Sequence, residues 1–134
     1  MTSENRPFIT CHVLDQTRGK PASSVPVTLQ LVEPANTFDA TFTAQTDDNG
    51  RVSAWTQSIT PQDVVYRIQK DGAVPGTEKL KWRIVFETEK YWKGTQTESF
   101  YPEVEIKFYT DLAQTHFHVP LLLGPWGFTT YRGS

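Results

Sequence analysis

Between residues 25 and 32 the chain reads VPVTLQLV, and every second side chain is aliphatic. Val25, Val27, Leu29 and Leu31 fall on one side of an extended strand, and Pro26, Thr28 and Gln30 on the other, because successive strand side chains point to opposite faces. Such a segment must lay its apolar side against a second layer. Similar short segments recur at FITCHVL (8–14), TFTAQT (41–46), KWRIVFET (81–88), VEIKFYT (104–110), THFHVPLLL (115–123) and WGFTTY (126–131). Asn49-Gly50 predicts a type I′ hairpin turn leading from 41–46 into a strand from Arg51 to Trp55, since that turn needs positive φ at both central residues. Turn-like DQTRGKP and GPWG punctuate the rest. ITPQDVVYRIQKDG has room for a short helix, AVPGTEK reads as loop, and ETEKYWKG as a short helical turn ended by Gly94. Seven to eight short strands with one short helix predict an all-β fold, an antiparallel β-sandwich. Without internal repeats or low-complexity segments, residues 1–134 read as a single domain.

Composition narrows the function classes. The net charge of −2 gives no electrostatic reason to expect nucleic acid or an anionic membrane as partner. The longest apolar run, Val119 to Leu123, contains a proline and is too short to span a bilayer. Cys11 is the only cysteine, so no intrachain disulfide can form. With no apolar leader at the start, this favours the cytoplasm. The peroxisome is the alternative compartment, although the end is no Ser-Lys-Leu tripeptide.

Strand alternation also sorts the three histidines. Ile9, Cys11 and Val13 share the natural core face of the first strand, which puts His12 on the opposite face with Thr10. Phe117, Val119 and Leu121 likewise send His116 and His118 away from the core. All three histidines therefore face solvent or another subunit. Leu122, Trp126 and Phe128 make the same region apolar on both faces, a pattern that an oligomer interface would satisfy. His-x-His with a distant histidine could also supply three zinc ligands, but the spacing is unspecific and no cysteine pair or His-Glu motif accompanies it. Arg51 follows the Asn-Gly turn, where a solvated arginine is the plain expectation. There is no twelve-residue calcium loop, phosphate-binding glycine loop or Gly-x-Ser-x-Gly elbow.

The segments CHVLDQTRGKPASSVPVTL, TDDNGRV, FYPEVEIKF and HFHVPLLLGPWGFTTYRGS together resemble the 5-hydroxyisourate hydrolases of the transthyretin-like family, in the same order and over nearly the whole chain. GPWGFTT stands where that family more often has Ser-Pro-Tyr-Gly-Tyr-Ser-Thr, and segments 35–44 and 60–79 are longer than in compact bacterial members, which suggests enlarged peripheral loops. The resemblance implies a transthyretin-like sandwich and a homotetramer, a dimer of dimers with active sites between the dimers. It implies a catalytic group of His12, Arg51, His118 and Ser134. Substrate contacts would come from His12, Arg51, His116, Tyr131, Arg132 and Gly133, with His116 in a supporting role. The final Tyr-Arg-Gly-Ser, with its terminal carboxylate, would then be delivered into the channel. The implied reaction is hydrolysis of 5-hydroxyisourate to 2-oxo-4-hydroxy-4-carboxy-5-ureidoimidazoline in urate degradation, with no metal or organic cofactor required. Histidines titrate near neutral pH and suit base and acid roles, while arginine suits a developing oxyanion. The alternative is a non-catalytic small-molecule carrier in the manner of transthyretin.

Overall fold

The computed structural model describes residues 6–34, 40–71 and 79–134. Its elements run β1 Ile9–Asp15, β2 Lys20–Pro21, β3 Pro26–Glu33, β4 Thr41–Gln45, β5 Arg51–Val52, α1 Pro61–Asp71, β6 Lys79–Phe86, α2 Thr88–Gly94, β7 Val104–Asp111, β8 Phe117–Leu123 and β9 Phe128–Thr130. One sheet has the order β4-β3-β6-β7 and is antiparallel throughout. The other has the order β2-β1-β8-β9, with β5 also paired to β1. The β1–β8 pair in it is parallel. Two of the nine strands among the described residues, β2 and β5, are two-residue pieces, which explains the excess over the seven to eight expected.

The apolar sides of the two sheets meet as the alternation requires. Val27 and Leu29 of β3, Leu80, Trp82, Ile84 and Phe86 of β6, and Cys11 and Val13 of β1 are all buried. Trp82 sits at the centre, with the Phe8 and Phe42 rings 6.4 and 6.5 Å from its own and its indole N–H donating to Thr110 Oγ1 at 2.9 Å. That hydrogen bond answers the one polar group that so large a buried side chain carries.

Two expectations are corrected. The described residues form two helices where one was expected, because part of segment 60–79 forms α1. Its start is built from local chemistry: Thr60 N–H donates to Asp63 Oδ2 and Asp63 N–H to Thr60 Oγ1, at 2.8 and 3.1 Å, with Pro61 in the first turn, where a missing N–H costs nothing. Val64, Val65 and Ile68 then bury its apolar side. The loop expected at AVPGTEK, apart from Lys79, and the first half of segment 35–44, residues 35–39, lie outside the described residues.

The Asn49-Gly50 turn is not a hairpin. β4 pairs with β3 and β5 with β1, so the turn carries the chain from one sheet to the other. Of its two central residues Gly50 alone has positive φ, +75°. Asp47 organises the turn instead, its Oδ1 accepting from the N–H groups of Asn49 and Arg51, both at 2.9 Å. Gly50 is required by space as well as by φ, since a Cβ there would lie 2.4 Å from the Val13 carbonyl oxygen. The strand expected from Arg51 to Trp55 ends at Val52, and the Trp55 indole N–H turns to the Ile9 carbonyl at 3.0 Å.

The end of β1 is fixed by a buried carboxylate. Asp15 is fully buried, accepts from the Arg18 N–H at 3.0 Å and from the Tyr91 hydroxyl of α2 at 2.6 Å. Burial, then the adjacent carboxylate, pushes the Tyr91 phenol up to about 12. Tyr91→Phe removes one donor and leaves the charge under-satisfied, which should cost about 1.5–3 kcal/mol. A urea titration of the variant checks this, and an unchanged midpoint would show that the contact contributes nothing.

Candidate functional site

The site lies on the face of β1 and β8 turned away from the core. The parallel register sets Thr10 opposite His118 and His12 opposite Pro120. The antiparallel pairing of β5 sets Arg51 opposite His12. Three strands close in space but distant in sequence thereby bring two histidines and an arginine together. The alternation that buries Cys11 and Phe117 also holds the intervening residues outside the core. The His12 and His118 rings are 6.4 Å apart, and His116 stacks near His118 at 6.3 Å with 15° between planes.

An open cavity of about 480 Å³ sits here, lined among others by Arg51, His116, His118 and Ser134, with Arg6 and Thr10 beside them. His116 and His118 are held from behind. His116 Nδ1 donates to the Pro7 carbonyl at 2.6 Å. His118 Nδ1 lies 2.7 Å from Thr10 Oγ1. The His118 carbonyl accepts from the Gly133 N–H at 2.9 Å, and a Cβ on Gly133 would lie 2.6 Å from His118 Cδ2. Glycine is therefore what lets this backbone approach the imidazole so closely. Arg6 Nη1 donates to the Ser134 backbone oxygen at 3.1 Å, bringing a second guanidinium to the cavity.

Of the residues expected from the sequence, the fold gathers His12, Arg51, His116, His118, Gly133 and Ser134. It does not bring the Tyr131 and Arg132 side chains to the cavity within one chain. Tyr131 is exposed. Arg132 turns toward the 114–117 segment, hydrogen-bonding Gln114 and lying 5.2 Å from the Phe117 ring centre. Arg6 and Thr10 were missed. Thr10 carried a signal, because it shares the His12 face two residues away, whereas nothing in the sequence marked Arg6. Among the described residues no group of three or more His, Cys, Asp or Glu could hold a metal ion, so the three histidines do not form a zinc cluster. Nor is any described helix long and apolar enough to cross a membrane.

The cavity is electrostatically positive, and the histidines respond. His118 is lowered from 6.5 to about 4, first by burial and then by Arg51, with His116, His12 and Arg6 adding to it. His12 is lowered too, by burial and then Arg51, against an opposing hydrogen bond to the Asn49 backbone and the Asp47 charge. His118 is thus a neutral imidazole at pH 7. Cys11 beneath the cavity is inert as a nucleophile, its thiol pushed up to about 12 by burial.

A search against protein-family models matches residues 9–133 to the HIUase/Transthyretin family. The 5-hydroxyisourate hydrolase of Mus musculus is 40% identical over 135 residues, covering all of both chains. The solved 5-hydroxyisourate hydrolase of Klebsiella pneumoniae superposes with a TM-score of 0.67 at 24% identity, covering 96% of this chain and 99% of the other. Transthyretin from Sparus aurata gives a TM-score of 0.72 at 23% identity, with 96% and 97% covered. At these identities the two structures establish the fold alone, and they share it across a hydrolase and a transthyretin.

The lowered histidines make a prediction with a definite sign. An ordinary histidine titrates near 6.5, so as pH falls the unfolded chain takes up its proton before folded His118 does. The stability due to His118 is complete above about pH 6.5 and is lost as pH falls through about 4. In a histidine NMR titration His118 should stay neutral at pH 5.5, and Arg51→Gln should move both the His118 and the His12 midpoints upward. A His118 midpoint near 6.5 in the wild type would refute the electrostatic account.

Proposed function

The chain belongs to the HIUase/Transthyretin family, and from that membership and its site we propose that it hydrolyses 5-hydroxyisourate to 2-oxo-4-hydroxy-4-carboxy-5-ureidoimidazoline in urate degradation. The observation that carries this is the convergence of His12, Arg51 and His118 from three strands on one face of the sheet, with Arg51 and His118 lining the cavity there. The fold does not choose between hydrolase and carrier. The mouse hydrolase does, being 40% identical over its full length.

The reaction consumes one water. Its oxygen bonds to a ring carbonyl carbon, charge develops on the carbonyl oxygen, and the ring C–N bond then breaks. Two tasks follow for the protein: moving the water proton to the departing nitrogen, and holding the transient oxygen charge. His12 and Arg51 are neighbours in register and suit the first and second task respectively. Arg51 cannot lose its proton and offers forked planar donors to a planar substrate. His118 completes the catalytic group with Ser134, and His116 supports it. Tyr131, Arg132 and Gly133 contribute contacts around the substrate.

The whole chain, 1–134, acts as one hydrolase domain. It assembles as a homotetramer with the sites between dimers. Several observations support this: the cavity is open, its residues lie on the face turned away from the core, and Trp126, Tyr131 and Phe128 are exposed nearby in sequence. Closure by a neighbouring subunit would exclude water from the cavity, and side chains that miss it within one chain would be free to line it from another.

Generating 5-hydroxyisourate in situ from urate and following its ultraviolet decay tests the reading, and no acceleration by the protein would favour the carrier. His12→Ala and His118→Ala should each fold normally and lose about 10²-fold or more in rate, the usual worth of a group that moves a proton in the transition state or of one donor aimed at the developing oxygen charge. His116→Ala should cost less than His118→Ala. Near-full activity in His12→Ala or His118→Ala would remove that residue from the catalytic group.

A further inference from the structure

We infer that Thr10 is a positioning residue: its hydroxyl donates to His118 Nδ1, fixes the imidazole as the Nε2–H tautomer, and so presents His118 to the substrate as a hydrogen-bond donor while His12 carries the proton. This rests on the hydrolase reading of the site and assigns roles within it.

The two histidines stand in different surroundings. Thr10 is buried, and among the described residues its hydroxyl has one hydrogen-bond partner, His118 Nδ1 at 2.7 Å. A hydroxyl both donates and accepts, and a neutral imidazole has one nitrogen of each kind. If Nδ1 carried the proton, the buried hydroxyl hydrogen would have no protein acceptor, an arrangement that costs the group its desolvation. Donation from Thr10 satisfies both groups. Nδ1 then accepts, and the proton sits on Nε2, the nitrogen left for the cavity. The surrounding positive charge supports the same picture by keeping the ring neutral.

His12 is placed differently. It faces Arg51 in register, and the nearby Asn49 backbone and Asp47 charge favour its protonated ring. Neutral His12 keeps one lone-pair nitrogen to take up a proton. One histidine offers N–H to the substrate and its neighbour, with ring centres 6.4 Å apart, offers a base.

The chemistry balances with these roles. Water gives its proton to His12 as its oxygen bonds to the carbonyl carbon. The carbonyl oxygen takes the electron pair and accepts hydrogen bonds from His118 Nε2–H and Arg51. The oxygen then returns the pair, the C–N bond breaks, and the nitrogen takes the proton back from His12. His118 never gives up its proton, so no imidazolate forms. No co-reactant other than water is needed.

The test is a two-bond ¹H–¹⁵N spectrum of histidine-labelled full-length protein at pH 7, combined with steady-state kinetics of Thr10→Val and Thr10→Ser. Wild type and Thr10→Ser should show His118 Nδ1 as an unprotonated, pyridine-like nitrogen and Nε2 as protonated. Thr10→Val, which keeps the shape and loses the hydroxyl, should show a mixture of tautomers. Its kcat should fall about 10-fold, the upper worth of one neutral hydrogen bond, with KM within about twofold, and Thr10→Ser should restore most of the rate. A protonated Nδ1 in the wild type overturns the assignment without any variant. A Thr10→Val enzyme that keeps either the wild-type tautomer or the wild-type kcat overturns the positioning role. Failure of the hydrolase reading itself would appear separately, as a wild type with no activity toward 5-hydroxyisourate whatever its tautomer.

Discussion

The parallel pairing of β1 with β8 is the constraint on which the site depends. It sets Thr10 beside His118 and leaves the next outward position of β1, His12, open to face Arg51 from β5. A parallel pair needs a long connection between its strands, and in this chain that connection contains the whole second sheet and both helices. Thr10 and His118 are therefore 108 positions apart in the chain, yet adjacent to within a hydrogen bond. What keeps them there is the burial of Ile9, Cys11, Val13, Phe117, Val119 and Leu121 on the other side of the same two strands.

Charge distribution then does what geometry alone does not. The chain carries a net charge of −2, but the cavity gathers Arg6 and Arg51 around His118, with His12 next to it and both rings lowered in basicity. A neutral imidazole beside a fixed guanidinium is an asymmetric pair: one partner keeps its charge at any working pH and the other supplies only a dipole. Partial burial strengthens both toward a charge developing on substrate, because the effective dielectric falls as water is excluded. Arg6 adds to this field and also holds the Ser134 backbone, so the field and the chain end share one side chain.

Period-two alternation made most of the fold legible in the sequence. The outward direction of all three histidines follows from it, because their neighbours Cys11, Phe117 and Val119 are apolar on the alternate positions. Alternation names a face, however, and says nothing of which strand lies alongside. The parallel β1–β8 register, and with it the Thr10 contact, was therefore hidden. Asn49-Gly50 misled for a related reason: the local preference for positive φ at Gly50 was real, but the Asp47 carboxylate organised the turn and tertiary pairing sent β5 to the other sheet. α1 was only partly legible, since VVYRIQ supports either period over so short a run. Arg51, Ser134 and the Tyr131–Arg132 contacts came from resemblance to a family, because nothing local distinguishes a catalytic arginine from a solvated one.

Since a hydrolase and a transthyretin share this sandwich, what separates them must reside where the common core does not reach. On β1 and β8 the two sets of residues alternate one by one: Ile9, Cys11 and Val13 hold the layers together, while Thr10 and His12 meet the cavity side. Sliding either strand by one residue would bury the histidines and expose the aliphatics. The hydrophobic penalty for such a slip is large, several apolar side chains at about 1.5–3 kcal/mol each, so the register is held far more firmly than any single polar contact could hold it. Core packing thus sets the spacing of His12, His118 and Thr10 without touching the substrate. The polar face is left free to vary in chemistry at little cost in stability, except at Gly50 and Gly133. At those two positions the backbone itself comes so close to Val13 and His118 that no side chain fits, and there fold and function constrain the same atom.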